Sequence, residues 1–404
     1  MYRTHLLILK KLKKIKKLSP VVANNNDHEV ERSEETVYVR PPFGASFELK
    51  SEKNFPNIVT IFDHLDSPGK KNNGRYNEYG ANTDNLAYKS YGSSLGSQEA
   101  SEFLAIPKLM KYYKKHSKEN SLVIFGGDTN IEKENFNLDN NFDPEINKVL
   151  NSYGIGQKYF TSLNKNGTGY VQPYDKIYYL NGENKYYDLI NDVDNPHLDF
   201  KIDIIKEFKR FNNKDEFKSM KWYNNHEDEG WNIRNRLSDH APVYVDLNIK
   251  TNKNINTSIA TINPKKDANQ LRIAHWNILN YGNENLKAYK YQKEFKYKAI
   301  AHFIEKSGFD IIGLTEINDN GSDAVDLILD QLNNKGNPKY KKIVQSKEDS
   351  SWKNTKYQHF YGRQTEQIVI IYNSDVLDSV NFLNNKKHLT YREKIKLYGH
   401  LKTK

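Results

Sequence analysis

Acidic, amide and histidine side chains stand beside the short apolar runs of this sequence, where each run ends or a turn begins. They are Asn277 in HWNIL, Glu316 in IGLTEI, Asp128 and Asn130 in GGDTN, Asp175 in PYDKIYY, Asp239 and His240 in LSDHAPV, and His64 in IFDHLDSPG. Strand ends and turns are where loops gather side chains into a site. Because the chain has no cysteine, any metal held there would sit on oxygen or imidazole ligands.

Each of these residues also has an ordinary structural explanation. Asp128 could cap a turn, and Asn277 could bond its own backbone at the end of a strand. Asp239 could cap a helix or turn and leave His240 exposed. A single histidine such as His64 is more often structural than catalytic. Taken one at a time, these residues indicate only a globular α/β protein.

The apolar runs of the first part of the chain predict the strands that carry these residues. VYVRPPFGASFEL and NIVTIFDHL are interpreted as strands separated by a polar turn, and KIYYL and APVYVDL as core strands. SLVIFGG is a buried strand that delivers GGDTN to a loop. Residues 70–98 predict a surface loop, and Ser97-Gln98-Glu99 opens a helix that runs to about Lys115.

The second part of the chain has a different succession of elements. LRIAHWNILNYG predicts a strand, a helix follows that ends near Gly308, and FDIIGLTEI predicts the next strand. A strand, a helix and a strand in succession indicate a parallel βαβ unit. EQIVIIYN is a further buried strand.

Three segments lack the signature of a folded element. Structured sequence begins near Thr36, so residues 1–35 are a basic tail. Residues 249–269 are polar, without a period, and are interpreted as a linker, and the Lys-rich residues 384–404 as an unstructured tail.

The basic N-terminus has two interpretations. A helix there would align Ile8, Leu12, Ile15 and Leu18 on one face, able to lie on anionic lipid or on nucleic acid. The alternative is a frayed tail. Its continuous apolar run is too short for a secretory signal of about 7–15 residues, and no stretch reaches the roughly 18–20 apolar residues of a membrane span.

The composition of the 404-residue chain supports a real core beneath a very polar surface, with 37% apolar and 28% charged residues. The net charge of +10 suits a polyanionic partner such as nucleic acid or an acidic membrane, or reflects a Lys-rich proteome. The absence of cysteine excludes disulfides, thiolate metal sites, a cysteine nucleophile and a lipidated cysteine anchor.

Taken together, the motifs resemble a known constellation. LRIAHWNILNYG, DIIGLTEI, TEQIVIIYN, RPPFGASF, HLDSPG, LVIFGGDTN, YDKIYY and SDHAPVYVDL each resemble a motif of the endonuclease/exonuclease/phosphatase superfamily, whose type member is DNase I. RPPFGASF, HLDSPG and GSQE are most similar to the mycoplasma membrane-nuclease branch. The resemblance covers residues 36–248 and 270–378. It implies an α+β fold, a four-layer α/β/β/α sandwich of the DNase I-like type.

The order of the motifs departs from the family. Residues 36–248 hold what resembles the second half of the domain, and residues 270–383 hold the first half. The chain therefore resembles a circular permutation, or a read-through of two broken gene copies. A 20-residue coil spans about 25 Å, enough to join neighbouring strand ends. We expect a monomer, with a domain-swapped dimer as the alternative.

The resemblance implies a cation site. Glu316 would be the principal ligand of Mg²⁺ or Mn²⁺, with Ca²⁺ as a further option, assisted by Asn277. Asp239 would be a second carboxylate near the metal.

The resemblance also implies two histidine–carboxylate pairs. His240 would be the general base that takes a proton from water, with its tautomer fixed by Asp175. His64, paired with Glu366, would donate to the phosphate or to the leaving oxygen.

Three further residues would contact the phosphate or the water. Asp128 and Asn130 would orient the water and bond the phosphate. Arg40, directly before PPFG, would clamp phosphate through its guanidinium fork, or is a charge at a strand edge.

The function that the resemblance implies is a metal-dependent nuclease that cleaves DNA, or RNA, with little sequence preference. A phospholipid or nucleotide phosphodiesterase of the same fold is one alternative. An inactive rearranged product that at most binds nucleic acid is the other. The branch is exported and membrane-attached, which leaves localisation open for a chain with no convincing signal peptide.

Overall fold

The computed structural model describes residues 21–22, 31–32, 35–67, 71–72, 75–76, 97–148, 157–180, 185–189, 200–211, 229–282, 290–318, 321–334, 339–353, 365–392 and 395–396. The strands are β1 (Val21–Val22), β2 (Glu31–Arg32), β3 (Glu35–Thr36), β4 (Phe43–Leu49), β5 (Ile58–His64), β6 (Lys71–Asn72), β7 (Arg75–Tyr76), β8 (Leu122–Asp128), β9 (Ile146–Lys148), β10 (Ser162–Leu163), β11 (Tyr170–Gln172), β12 (Asp175–Leu180), β13 (Tyr187–Leu189), β14 (Val243–Ile249), β15 (Gln270–Tyr281), β16 (Ile311–Asn318), β17 (Tyr340–Val344), β18 (Glu366–Asn373), β19 (Leu377–Val380), β20 (His388–Thr390) and β21 (Ile395–Lys396). The helices are α1 (Ser97–Lys115), α2 (Ile204–Phe211), α3 (Glu229–Asn232), α4 (Lys290–Ser307) and α5 (Val325–Asn333), with 3₁₀ turns at Lys133–Asn141, Gln157–Tyr159 and Ser322–Ala324 and a π-helical turn at Ile233–Leu237.

Helix α1 confirms the helix predicted from Ser97 to about Lys115. The basic helix predicted near the N-terminus lies outside the described residues, as does most of the predicted loop over 70–98. In the part of the chain that the structure describes, no helix is long and apolar enough to cross a membrane.

The first large sheet holds seven strands in the order β19-β4-β5-β8-β12-β9, with β20 also paired to β4. Its centre is a parallel pair, β5 and β8, joined by α1. The other pairs in this sheet are antiparallel. The sheet therefore contains one βαβ unit flanked by antiparallel strands.

The second large sheet holds six strands in the order β13-β14-β15-β16-β18-β17. Its parallel pair is β15 and β16, joined by α4, which confirms the predicted βαβ unit. Helix α4 ends at Ser307, and Gly308 follows with a φ of 67°, the left-handed conformation that commonly terminates a helix. Each sheet thus has a βαβ unit at its centre.

The two sheets pack face to face with helices on their outer faces. Phe62 of β5 lies so close to β16 that a Cβ added at Gly313 would come within 2.1 Å of its ring. Helix α1 lies on the outer side of the first sheet, with Tyr113 against β4. On the outer side of the second sheet, Trp276 of β15 packs on Phe303 of α4, with ring centroids 5.7 Å apart. This α+β arrangement is consistent with the predicted four-layer sandwich.

The two parts of the chain meet inside the second sheet. Strands β14 and β15 are antiparallel neighbours, and residues 250–269 connect them without a helix or strand. The connection is held in place by buried Asp310, which accepts hydrogen bonds from Ser258 N at 2.7 Å and Lys266 Nζ at 2.5 Å. The segment is therefore part of the folded body.

The prediction of an unstructured tail from Asn384 is wrong for part of that segment. Strand β20, His388–Thr390, pairs with β4, and β21 pairs with β3. Buried Leu389 and Tyr391 join the core on the first sheet. Two apolar side chains between lysines were enough to fix this segment on an open strand edge.

Candidate active site

Three adjacent strands of the first sheet bring acidic and imidazole groups to one edge. His64 ends β5, Asp128 ends β8 and Asp175 begins the antiparallel β12. Asp128 is the cross-strand neighbour of both other residues. All three are buried. Because parallel strands end at the same edge, the βαβ unit itself places the first two side by side.

The second sheet contributes Asn277 from β15 and Glu316 from β16. The pairing of the two strands is shifted after Asn277, and Glu316 has a φ of 58°. Leu279 and Asn280 are also left-handed, with φ values of 50° and 49°. The irregular backbone lets Asn280 N donate to Glu316 Oε2 at 3.0 Å. Left-handed non-glycine residues cost about 1–3 kcal/mol each and cluster at functional sites.

The side chains of both sheets converge on one oxygen, Oδ2 of Asp128. Asn277 Nδ2 donates to it at 2.9 Å, and Nδ2 also donates to Glu316 Oε1 at 2.9 Å. The Nε2 atom of His64 and the Nε2 atom of His240 each lie 3.5 Å from the same Oδ2. Two imidazoles, the amide of Asn277 and the carboxylates of Asp128 and Glu316 therefore form one cluster.

His240 forms a pair with Asp175, whose Oδ2 lies 2.7 Å from Nδ1. Burial lowers the pKa of His240, but the carboxylates of Asp175 and Asp128 more than offset it, so this pKa lies well above its usual value. The ring of Tyr174 stacks on the imidazole at 6.1 Å, and Trp276 Nε1 donates to the carbonyl of His240. These contacts leave Nε2 directed at Asp128.

His64 forms a second pair with Glu366, whose Oε2 lies 2.8 Å from Nδ1. Burial and Arg40 lower the pKa of His64, and Glu366 and Asp128 offset them, so this pKa is raised. Burial raises the pKa of Glu366, but Arg40 and His64 together lower it to about 2. These two pKa changes favour the charged form of each member of the pair.

Arg40 is tied to the same pair from behind. Its Nη1 donates to the carbonyls of His64 and Leu65 at 3.2 and 2.9 Å, and its Nε lies 3.0 Å from Glu366 Oε1. That short ion pair is not aligned as an Nε hydrogen bond. The residue is only 6% exposed, which places most of its guanidinium in contact with protein.

Two predicted site residues face other partners as well. Asn130, left-handed with a φ of 53°, donates through Nδ2 to the carbonyl of Leu65 at 2.9 Å. Its backbone N donates to Asp128 Oδ1 at 3.1 Å. Asp239 Oδ2 lies 3.5 Å from Arg234 Nη2. Oδ1 of Asp239 is buried and has no hydrogen-bond partner among the described residues.

Two overlapping donor sets could hold a cation. Asp128, Asp175 and His240 offer ligand atoms within 4.8 Å of one another. Asp175, however, already bonds His240, so we favour Asp128 and Glu316, which share one amide donor in Asn277. A hard divalent cation fits these oxygens, because it would relieve the repulsion between the two carboxylates. A flip of the Asn277 amide would present its oxygen to that ion.

The sequence analysis missed three residues behind the site, of which His275 and Lys176 are buried and Lys296 is partly exposed. His275 lies with Nδ1 3.5 Å from Asp175 Oδ1 and Nε2 3.0 Å from Thr315 Oγ1. Burial lowers the pKa of Lys176 to about 8, and burial lowers that of Lys296 to about 8 as well. His275 shares a strand face with Asn277, a signal that alternation along HWN carries; nothing in the sequence distinguishes either lysine.

No protein-family model matches the sequence, and no curated protein matches it. Among solved structures, the chain is similar to humanized D. rerio TDP2 carrying 14 mutations, with 12% sequence identity and a TM-score of 0.21. The match covers 36% of this chain and 59% of that one, so this chain spans less than two thirds of its length.

Proposed function

We propose that this chain is a metal-dependent phosphodiesterase and that its substrate is nucleic acid. The observation that carries the proposal is the convergence of two histidine–carboxylate pairs. In the pairs His240–Asp175 and His64–Glu366, the carboxylate contacts Nδ1 of the histidine. The Nε2 atoms of both histidines lie 3.5 Å from Oδ2 of Asp128. Hydrolysis of a phosphodiester needs a proton taken from water on one side and a proton given to the leaving oxygen on the other.

The two histidines differ in the roles we assign. His64 gives its proton to the leaving oxygen, and Glu366 and Asp128 raise its pKa, which favours the protonated form that a donor needs. His240 is the general base that accepts a proton from the attacking water at Nε2. The negative charge of Asp175 and Asp128 raises the pKa of His240. A bound cation would offset part of that charge and lower the pKa, so that the neutral imidazole could accept a proton. Asp128 and Asn130 orient the water and bond the phosphate.

The cation ligands in this proposal are Glu316 and Asn277, with Asp239 and Asp128 as the further carboxylates. Mg²⁺ or Mn²⁺ suits such hard oxygen donors, with Ca²⁺ as a weaker substitute. When bound, the ion supplies positive charge for the phosphate oxygens and lowers the pKa of water. The ligand set and the histidine pairs occupy one edge of both sheets.

Nucleic acid is the proposed substrate because the net charge is +10 and because the motifs resemble the membrane-nuclease branch. Binding of the basic N-terminus to an anionic membrane is a separate prediction. A phospholipid or nucleotide phosphodiesterase would use the same site, and an inactive chain would keep the geometry without turnover.

Degradation of plasmid DNA, linear DNA and RNA by the purified chain in Mg²⁺ or Mn²⁺, against EDTA, tests the proposal. Glu316→Gln and His240→Asn should each lower kcat by about 100-fold or more. The matched controls are Glu134→Gln, whose side chain is 53% exposed, and His116→Gln at the end of α1. Both controls should keep full activity.

Loss of cleavage in EDTA and in both site variants, with the controls active, would support the proposal. Hydrolysis of sphingomyelin or of nucleotides without hydrolysis of DNA or RNA would overturn the substrate class. A folded chain that hydrolyses none of these substrates would overturn the proposal that the protein is an enzyme.

A further inference from the structure

Arg234 lies on the π-helical turn that leads into the SDH motif. Ser238 N bonds the carbonyl of Ile233, which closes the turn, and Ile233 and Leu237 are buried on its inner side. Arg234 is left 31% exposed and directed at Asp239. Single π-turns are frequent at functional sites.

The contact between Arg234 and Asp239 is poorly satisfied for a structural ion pair. Nη2 lies 3.5 Å from Oδ2, at the limit of a hydrogen bond, and Nε of Arg234 and Oδ1 of Asp239 are buried without partners among the described residues. By contrast, Arg272 donates to both oxygens of Asp246 at 2.8 Å each. The Arg272–Asp246 pair is therefore bidentate, whereas the Arg234–Asp239 pair has a single long contact.

The two unsatisfied groups need ligands of opposite charge. Oδ1 of Asp239 can accept a cation, and the guanidinium fork of Arg234 can bind an anion with tetrahedral oxygens. A phosphate next to a divalent cation supplies both at once. Arg40 has its Nη1 bonded to two backbone carbonyls and forms a buried ion pair with Glu366, so less of its guanidinium is available.

The geometry points to Arg234 as a substrate-binding residue that takes a backbone phosphate on the Asp239 side of the site. This inference rests on the proposed function, since it assumes a nucleic-acid substrate and a cation at Asp239. A cation held by Asp239 would take the place of its weak contact with Arg234, which would leave the guanidinium to bind the phosphate. Arg234 thereby couples metal binding to substrate binding.

Binding of a short DNA duplex in Ca²⁺, by a His240→Asn chain with and without Arg234→Gln, tests the assignment. The slope of log Kobs against log salt should fall in magnitude by about 0.9, the share of one phosphate contact. Arg234→Lys should keep that slope. In the active chain, Arg234→Gln should raise KM by about tenfold and leave kcat nearly unchanged.

Arg210→Gln is the matched control, since Arg210 is 52% exposed and pairs with Glu207 on α2. It should change neither slope nor KM. Arg234→Gln should melt within about 2 °C of the parent. An unchanged slope, or a large drop in melting temperature, would overturn the inference. The binding slope is measured without turnover, so it decides the role of Arg234 even if the wild-type chain fails to cleave DNA, an outcome that overturns the proposed function instead.

Discussion

Replacing Glu366 by Gln should remove a measurable share of the folding stability. The carboxylate comes from β18 and bonds two residues from the other part of the chain, His64 and Arg40. Its side chain is 15% exposed, and its pKa is lowered from 4.5 to about 2. A pKa lowered from 4.5 to about 2, at roughly 1.4 kcal/mol per pKa unit, corresponds to about 3.5 kcal/mol of stabilisation.

The sign of the pH dependence follows from the lowered pKa. The folded state binds the proton of Glu366 less tightly than the unfolded state, so the stabilisation is fully present above about pH 4.5. It is lost as the pH falls toward about 2. The free energy of unfolding of the wild-type chain should therefore exceed that of Glu366→Gln by about 3.5 kcal/mol at pH 7, and the difference should shrink toward zero at pH about 2.

Urea unfolding in EDTA, followed by tryptophan fluorescence between pH 7 and pH about 2.5, measures this difference. Asp143→Asn is the control, because its ion pair with Lys111 is exposed and should contribute less than about 1 kcal/mol. A difference that does not change with pH, or one no larger than that of the control, would refute the role assigned to the Glu366 carboxylate.

Two further substitutions test the fold that positions the site. Gly313→Ala should lower the free energy of unfolding by about 1–3 kcal/mol, because its Cβ would meet the Phe62 ring. Phe62→Leu should restore part of that loss in the double variant. Strictly additive effects of the two substitutions in thermal unfolding would contradict a contact between the sheets at this point. Asp310→Ala should cost about 3–5 kcal/mol in urea unfolding, because it leaves Lys266 buried without its carboxylate. Lys253→Ala, on an exposed part of the same connection, should cost less than about 1 kcal/mol, and an equal cost for both would mean that residues 250–269 are a free coil.

The elements that carry the site could be predicted because their signals are local. An apolar run of seven residues ending in GGD gives a buried strand with its acid at the end, and β8 is that strand. The helix α1 and the unit β15–α4–β16 follow from similarly short patterns. Each pattern is contained within the element that it specifies.

What could not be predicted depends on contacts between distant parts of the chain. Residues 250–269 have no period, and their fixed course depends on the carboxylate of Asp310 at the start of β16. Strand β20 exists because β4 offers an open edge. The contact of Asp239 with Arg234 depends on a π-turn, which no local pattern distinguishes from an ordinary helix end.

The site also bears on how one chain can carry both of its parts. Two central contacts cross the two parts: His64 bonds Glu366, and Asp128 accepts from Asn277. Neither part therefore has a complete site, which leaves assembly within one chain or exchange between two. The connection between β14 and β15 favours one chain, because these strands are antiparallel neighbours and Asp310 fixes residues 258 and 266 beside them. At the other end, β21 pairs with β3 and β20 with β4, so the C-terminal strands close onto the N-terminal ones. A swapped dimer that opened this connection would give up the Asp310 contacts. The expected cost of Asp310→Ala, about 3–5 kcal/mol, therefore bears on the monomer that we expect.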